Sequence, residues 1–309
     1  MPGDQSLSTD DTMRRRLEAL NRGPLPATVR RSIQTAAPPA NRPATRAQTK
    51  STETKSDFTS SRPTPGLLHS GDVVETLVGQ HIRIRLSVDA FWQNGGQLIA
   101  ARQDYLTSSL ASASQAIEPA VIISPEFASL VKALPDRTVA LDLETCGLAG
   151  CALFLVGLFR HIAGQPTVEL LLARNYAEEA AVLNTLWETL ANYDVLLTFN
   201  GKTFDWPMVL ERSVRHRLQN HKPLAQFTHI DILHHARRRW RKQLPNCKLQ
   251  TLEWHVCRRR RAADIPGSQI PAVYANYVRT GFERDMDTVL HHNALDLVTL
   301  FDLALRLAA

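Results

Sequence analysis

Asp142 and Glu144 stand two positions apart at the end of the run Thr138-Val139-Ala140-Leu141-Asp142-Leu143-Glu144, which reads as a strand. Strand side chains alternate in direction, so the two carboxylates share one face while Leu141 and Leu143 point into a core. Neighbouring carboxylates repel, and a cation between them relieves that cost. Hard divalent cations such as magnesium prefer oxygen ligands of this kind. Taken alone, the pair is also compatible with two solvated acids at a strand end. A third carboxylate, Asp205, follows Asn200-Gly201-Lys202-Thr203-Phe204 and precedes Pro207, a pattern that opens a helix. A plain N-cap would use Asp205 in the same place. Asn200 and Lys202 stand where they could touch a phosphate. Near the C-terminus, His291-His292-Asn293-Ala294-Leu295-Asp296 falls in a helical pattern. His292 and Asp296 are four apart and share a face, and His291 is turned away from it.

The elements that must carry these groups are marked by hydrophobic period. After the strand ending at Glu144, residues 152–161 and 168–173 read as strands two and three. Their short connections imply an antiparallel meander. Residues 177–192 place Leu183, Leu186, Trp187 and Leu190 at helical spacing. A fourth strand over 195–199, a helix over 206–218 and a short strand over 227–230 follow. Asp231 is expected to cap the next helix rather than take part in chemistry, and the last helix covers about 286–307. Three strands followed by alternating helix and strand predict an α/β domain over 136–309, a mixed five-stranded sheet flanked by helices.

Upstream, residues 67–135 read as a small accessory β/α segment. Strands are expected over 73–78 and 81–86, and helices over 105–117 and 125–134. Residues 1–66 are rich in Pro, Ser, Thr, Ala and Arg, and such a stretch cannot bury enough apolar surface to offset its ordering entropy. They are expected to form a disordered tail, with a short helix at 12–20. This tail holds eleven basic and six acidic side chains, +5 of the chain's +6, so the remainder is close to neutral. No apolar run is long enough to span a bilayer, and no secretory pattern opens the chain. The four cysteines contain no C-x-x-C pair, so neither a zinc knuckle nor a disulfide framework is indicated. A reducing, cytoplasmic setting is the expectation.

Taken together, D-x-E on a first strand, N-G-K-x-F-D after a later strand and H-N-x-x-D on a C-terminal helix resemble the DEDD 3′–5′ exonucleases. Within that superfamily the chain looks most like the bacterial YprB-like ribonuclease H-like proteins. The phrases that carry the likeness are LDLETCG at 141–147, FLVG at 154–157, TFNGKTFDWP at 198–207, PNCKLQTL at 245–252, DIPG at 264–267 and HNALD at 292–296. The resemblance implies a ribonuclease H-like fold in which Asp142, Glu144, Asp205 and Asp296 hold two magnesium or manganese ions. It also implies a His that orients or deprotonates the attacking water, a role suited to a side chain that titrates near neutral pH. His292 is the first choice for that role and His291 the second.

Between Asp231 and Pro266 the chain gathers Arg237, Arg238, Arg241, Arg258, Arg259, Arg260 and Arg261 with other basic groups and few acids. Trp240 and Trp254 are interleaved with them. Such a segment can neutralise a polyanion beside a carboxylate centre, and its aromatics can stack on unpaired bases. Ordinary core packing is the competing account of both tryptophans. The expected function is a metal-dependent nuclease, a 3′–5′ exonuclease acting on single-stranded DNA or RNA ends, with no membrane partner. The alternatives are a nucleic-acid-binding module without catalysis and a structure-specific endonuclease on the same fold.

Overall fold

The structure is a computed structural model that describes residues 58–59, 66–115, 124–147, 150–218 and 227–309. The basic tail, apart from those few residues, and the short helix expected at 12–20 lie outside the described residues. The strands are β1 (Phe58–Thr59), β2 (Asp72–Thr76), β3 (Gly79–Ser87), β4 (Thr138–Thr145), β5 (Leu153–Ile162), β6 (Gln165–Leu172), β7 (Val195–Thr198), β8 (Thr228–Asp231) and β9 (Arg259–Arg260). The helices are α1 (Gly95–Gln115), α2 (Pro125–Ala133), α3 (Glu179–Leu190), α4 (Asp205–Arg215), α5 (Ile232–Trp240), α6 (Leu249–His255), α7 (Ile270–Thr280) and α8 (Arg284–Ala308).

β4 to β6 form the expected antiparallel meander, and β7 and β8 add to β4 in parallel. The result is a mixed sheet with helices packed on it, the α/β class that the pattern predicts. It is wider than the five strands expected. The order is β2-β3-β6-β5-β4-β7-β8, seven strands, because the hairpin of β2 and β3 pairs with β6 and extends the sheet. Its alternating residues mark it as strand, but its partner is about eighty residues away, beyond the reach of a local pattern. Three features hold it there. Ile84 is fully buried in the common core. Glu169 on β6 accepts from Arg85 of β3 at 2.8 Å and from Arg160 of β5 at 2.7 Å, so one buried carboxylate pairs with arginines on both neighbours. His81 Nε2 meets Thr185 Oγ1 of α3 at 2.9 Å. The short β1 pairs in parallel with β9.

α8 is the hydrophobic axis. Met286, Val289, Leu290, Leu297, Leu300, Phe301 and Leu303 are all buried, because the helix lies across the sheet with further helices over it. A solvent-backed amphipathic helix would leave one face polar. α8 is open only in its first turn, at Arg284, Asp285 and in part Thr288, and partly at Asp296, Arg306 and Leu307. Its position over β4 and β5 brings the C-terminal acid to the strand that carries the first two.

Candidate active site

Asp142 lies in the β4–β5 ladder opposite Gly157. From α8, Asn293 Nδ2 donates to Asp142 Oδ2 at 2.7 Å. The approach is possible because Gly157 has no side chain: a Cβ there would collide with Asn293 Oδ1 and sit 2.7 Å from Leu297 Cδ1. The glycine of FLVG therefore makes room for the asparagine of HNALD.

Asp205 opens α4, but its side chain does not cap it; Phe204 is the N-cap residue and provides no side-chain bond. The capping account of Asp205 thus has no hydrogen bond behind it. The loop before it is shaped from elsewhere. Asp231 accepts the N–H groups of Asn200 (2.8 Å) and Lys202 (3.2 Å) as well as that of Leu233 (3.1 Å) at the start of α5. This holds Asn200 at φ 66°, a left-handed conformation that asparagine tolerates better than most residues. Asp231 caps α5, as expected, and also anchors the loop before α4, which the sequence did not announce.

The acids influence one another. Burial, followed by the charges of Asp296, Glu144 and Asp205, pushes the Asp142 carboxyl well above its usual range. Burial also raises Glu144 and Asp205, each to about 7. Mutual repulsion among these half-buried carboxylates is the electrostatic condition under which a divalent cation binds favourably. The donors are carboxylate oxygens throughout, so they fit magnesium or manganese in kind. As the side chains stand, no three of the acidic, His or Cys groups among the described residues converge into an ion-holding cluster. One cause is visible: Asp296 is paired with Arg261 Nη2.

Arg261 pairs with three carboxylates, Asp296 among them. The other two are Glu253 (2.6 Å) and Asp264 (2.7 Å), and its side chain is 6% exposed. Arg259 is likewise internal, bonded to Asp302 at 3.0 Å and stacked 4.2 Å from the Trp92 ring. These two correct the expectation that residues 258–261 form one basic surface. Arg258 and Arg260 are exposed, as are Arg237, Arg238 and Arg241. Lys202 is exposed with its Nζ 3.9 Å from Glu126, whereas Asn200 lines the cleft onto which Asp142 opens.

The two candidate histidines are separated by the helix. His291 is 1% exposed and packs against Phe91, away from the acids. His292 faces them, with Nε2 3.5 Å from Asp296 and Nδ1 2.6 Å from Asp264. Burial alone would lower its pKa, but the Asp264 hydrogen bond and the charges of Asp296 and Glu144 together raise it to about 9. Asn293, Asp264 and the internal role of Arg261 were given no function from the sequence. The signal for the first two was present, since they belong to the HNALD and DIPG phrases.

Two clefts meet the acids. Asp142 and Asp296 open on one of about 470 Å³, which also presents Asn200, Arg237 and Lys248. Glu144 and Asp205 open on another of about 300 Å³ with an apolar wall of Leu143, Phe204, Met208 and Pro271. Among the described residues no helix is long and apolar enough to cross a membrane.

The sequence is similar to that of a curated protein. The curated "Uncharacterized protein YprB" of Bacillus subtilis (strain 168) is 34% identical over 174 residues, 54% of this chain but 41% of that protein. The chain therefore matches less than half the length of that relative. The family model described as the RNase_H superfamily matches residues 139–308, the span from β4 through α8 that supplies every acid of the site. That match covers more than half of the chain, and the chain belongs to the RNase_H superfamily.

Proposed function

We propose that this protein is a metal-dependent nuclease of the DEDD type, a 3′–5′ exonuclease acting on single-stranded nucleic-acid ends. The observation that carries the reading is the gathering of half-buried Asp142, Glu144, Asp205 and Asp296 from β4, α4 and α8, close enough that the other three charges help to push the Asp142 carboxyl up. Structural acids are usually paired with cations, not gathered beside one another. Asp142, Glu144, Asp205 and Asp296 would hold two magnesium or manganese ions. Bound there, the ions would supply an activated water and neutralise charge on the leaving oxygen.

The chain's own residues have separate tasks in this reading. Asn293 holds the Asp142 carboxylate in place. His292, tethered at Nδ1, presents Nε2 to the acid centre; held protonated by its acid neighbours it orients the attacking water, and ions that neutralised those acids would free it to take the proton. Arg237, Lys248 and Asn200 line the cleft on the Asp142 side and receive phosphates. The apolar wall beside Glu144 accepts the terminal sugar and base.

The test is digestion of end-labelled single-stranded DNA and RNA with magnesium, manganese or EDTA, alongside Asp142→Ala. A ladder receding from the 3′ end, absent in EDTA and in the variant, supports the reading. Defined internal fragments would instead indicate an endonuclease. Tight binding with no metal-dependent cleavage would overturn the catalytic reading. The pairing of Arg261 with Asp296 is the observation that favours this non-cleaving alternative.

A further inference from the structure

Trp254 on α6 does not pack as a core tryptophan. It is 45% exposed, whereas Trp92, Trp187 and Trp206 are buried and Trp240 is half-buried against the core. An exposed tryptophan forgoes a large apolar burial. This one nevertheless has a partner: the Arg260 guanidinium lies 4.7 Å from the ring centroid, and the tilted His255 ring is 6.5 Å away. The ring borders a cleft of about 180 Å³ that also includes Gln250, Arg260, Arg261 and Asp264. Arg261 and Asp264 form the side nearest the acid centre, since their other bonds go to Asp296 and His292. Glu253, the remaining acid of the cleft, is buried and neutralised by Arg261.

A flat aromatic ring, a guanidinium plane and a polar amide edge, next to exposed cations and next to the acids, match one occupant in particular. We propose that Trp254 and Arg260 form a stacking platform for an unpaired nucleobase of a single strand led toward Asp296. Base–aromatic stacking tolerates any base, and it requires that base to be out of a duplex. Arg260 contributes twice, by orienting the ring through its cation–π interaction and by neutralising a flanking phosphate. Alternation along β9 makes this possible, sending Arg259 into the core while Arg260 faces outward.

The proposal rests on the nucleic-acid reading of the site but not on cleavage, so binding is measured with the Asp142→Ala chain. Two probes are used, an oligothymidylate and an abasic strand of the same length. Adding Trp254→Ala is expected to weaken oligothymidylate binding about tenfold. It should leave abasic-strand binding and the salt dependence unchanged, while Trp254→Phe retains most of the affinity. Thermal unfolding of each variant controls for folding. Equal losses on both strands, or no loss on either, would overturn the platform. Failure of the Asp142→Ala chain to bind either strand would overturn the nucleic-acid reading and the platform with it. Normal discrimination between the strands, together with no metal-dependent cleavage by the parent chain, would remove only the nuclease reading.

Discussion

His292 Nδ1 lies 2.6 Å from Asp264 Oδ1, and Arg261 Nη1 lies 2.7 Å from the other oxygen of the same carboxylate. Burial would raise Asp264, but the His292 hydrogen bond and Arg261 together bring it down to about 2, so it stays ionised. A carboxylate fixed in this way sets the ring orientation of His292 and leaves Nε2 toward Asp296. If His292 acts on the water, Asp264→Ala should lower kcat by about tenfold or more with little change in KM. Asp264→Asn keeps an acceptor oxygen and should restore much of the rate. A rise in KM at constant kcat would assign Asp264 to substrate binding instead.

Gly157 answers to Asn293 across the packing of β5 on α8. Gly157→Ala forces Asn293 away from Asp142 and overpacks the core, at an expected cost of about 1–3 kcal/mol. Urea unfolding midpoints measure this cost directly. A fully stable variant would show that α8 can shift without loss.

Glu179 provides one pH-dependent part of stability. It accepts from Arg212 (2.6 Å), His216 (2.8 Å) and the Leu153 N–H (2.8 Å). Burial alone would raise its pKa, but these bonds together lower it below the usual value. The folded pKa is depressed, so the stabilisation is complete above the unfolded value of about 4.3 and is lost as pH falls through the folded value. Glu179→Gln leaves Arg212 buried and unpaired, and should cost about 3 kcal/mol or more near neutrality. Its stability should vary less than the parent's between pH 5 and pH 3, a difference that denaturation at fixed pH values detects.

The arginines divide by what they touch. Removing Arg258 or Arg260 should weaken single-strand binding and reduce the log–log salt slope, by up to about one for each phosphate left without its cation. Arg259→Gln should instead destabilise the fold, because Asp302 and Thr299 are deprived of a buried donor. Paired salt titrations and melting curves separate the two classes. A salt slope that changes equally for Arg259 and Arg260 would contradict this division.

Local period made much of this legible. Alternation placed Asp142 and Glu144 together, and the turn per residue of a helix separated His292 from His291 before any packing was known. The same rules identified the meander, the two parallel additions and α8, with boundaries within a few residues. What they could not supply was pairing between distant segments. Nothing near residue 292 announces that its ring will meet Asp264. Nothing in residues 258–261 states that two arginines will be enclosed by Glu253, Asp264, Asp296 and Asp302 while the other two stay outside. The sheet gained β2 and β3 for the same reason, since strand pattern identifies a strand and not its neighbour. By itself, then, the sequence determined the order of the acids, the elements that carry them and the faces they share. Only the tertiary structure decided which cations neutralise them, which histidine is held and which tryptophan is left open, because burial and charge pairing depend on where separate segments meet.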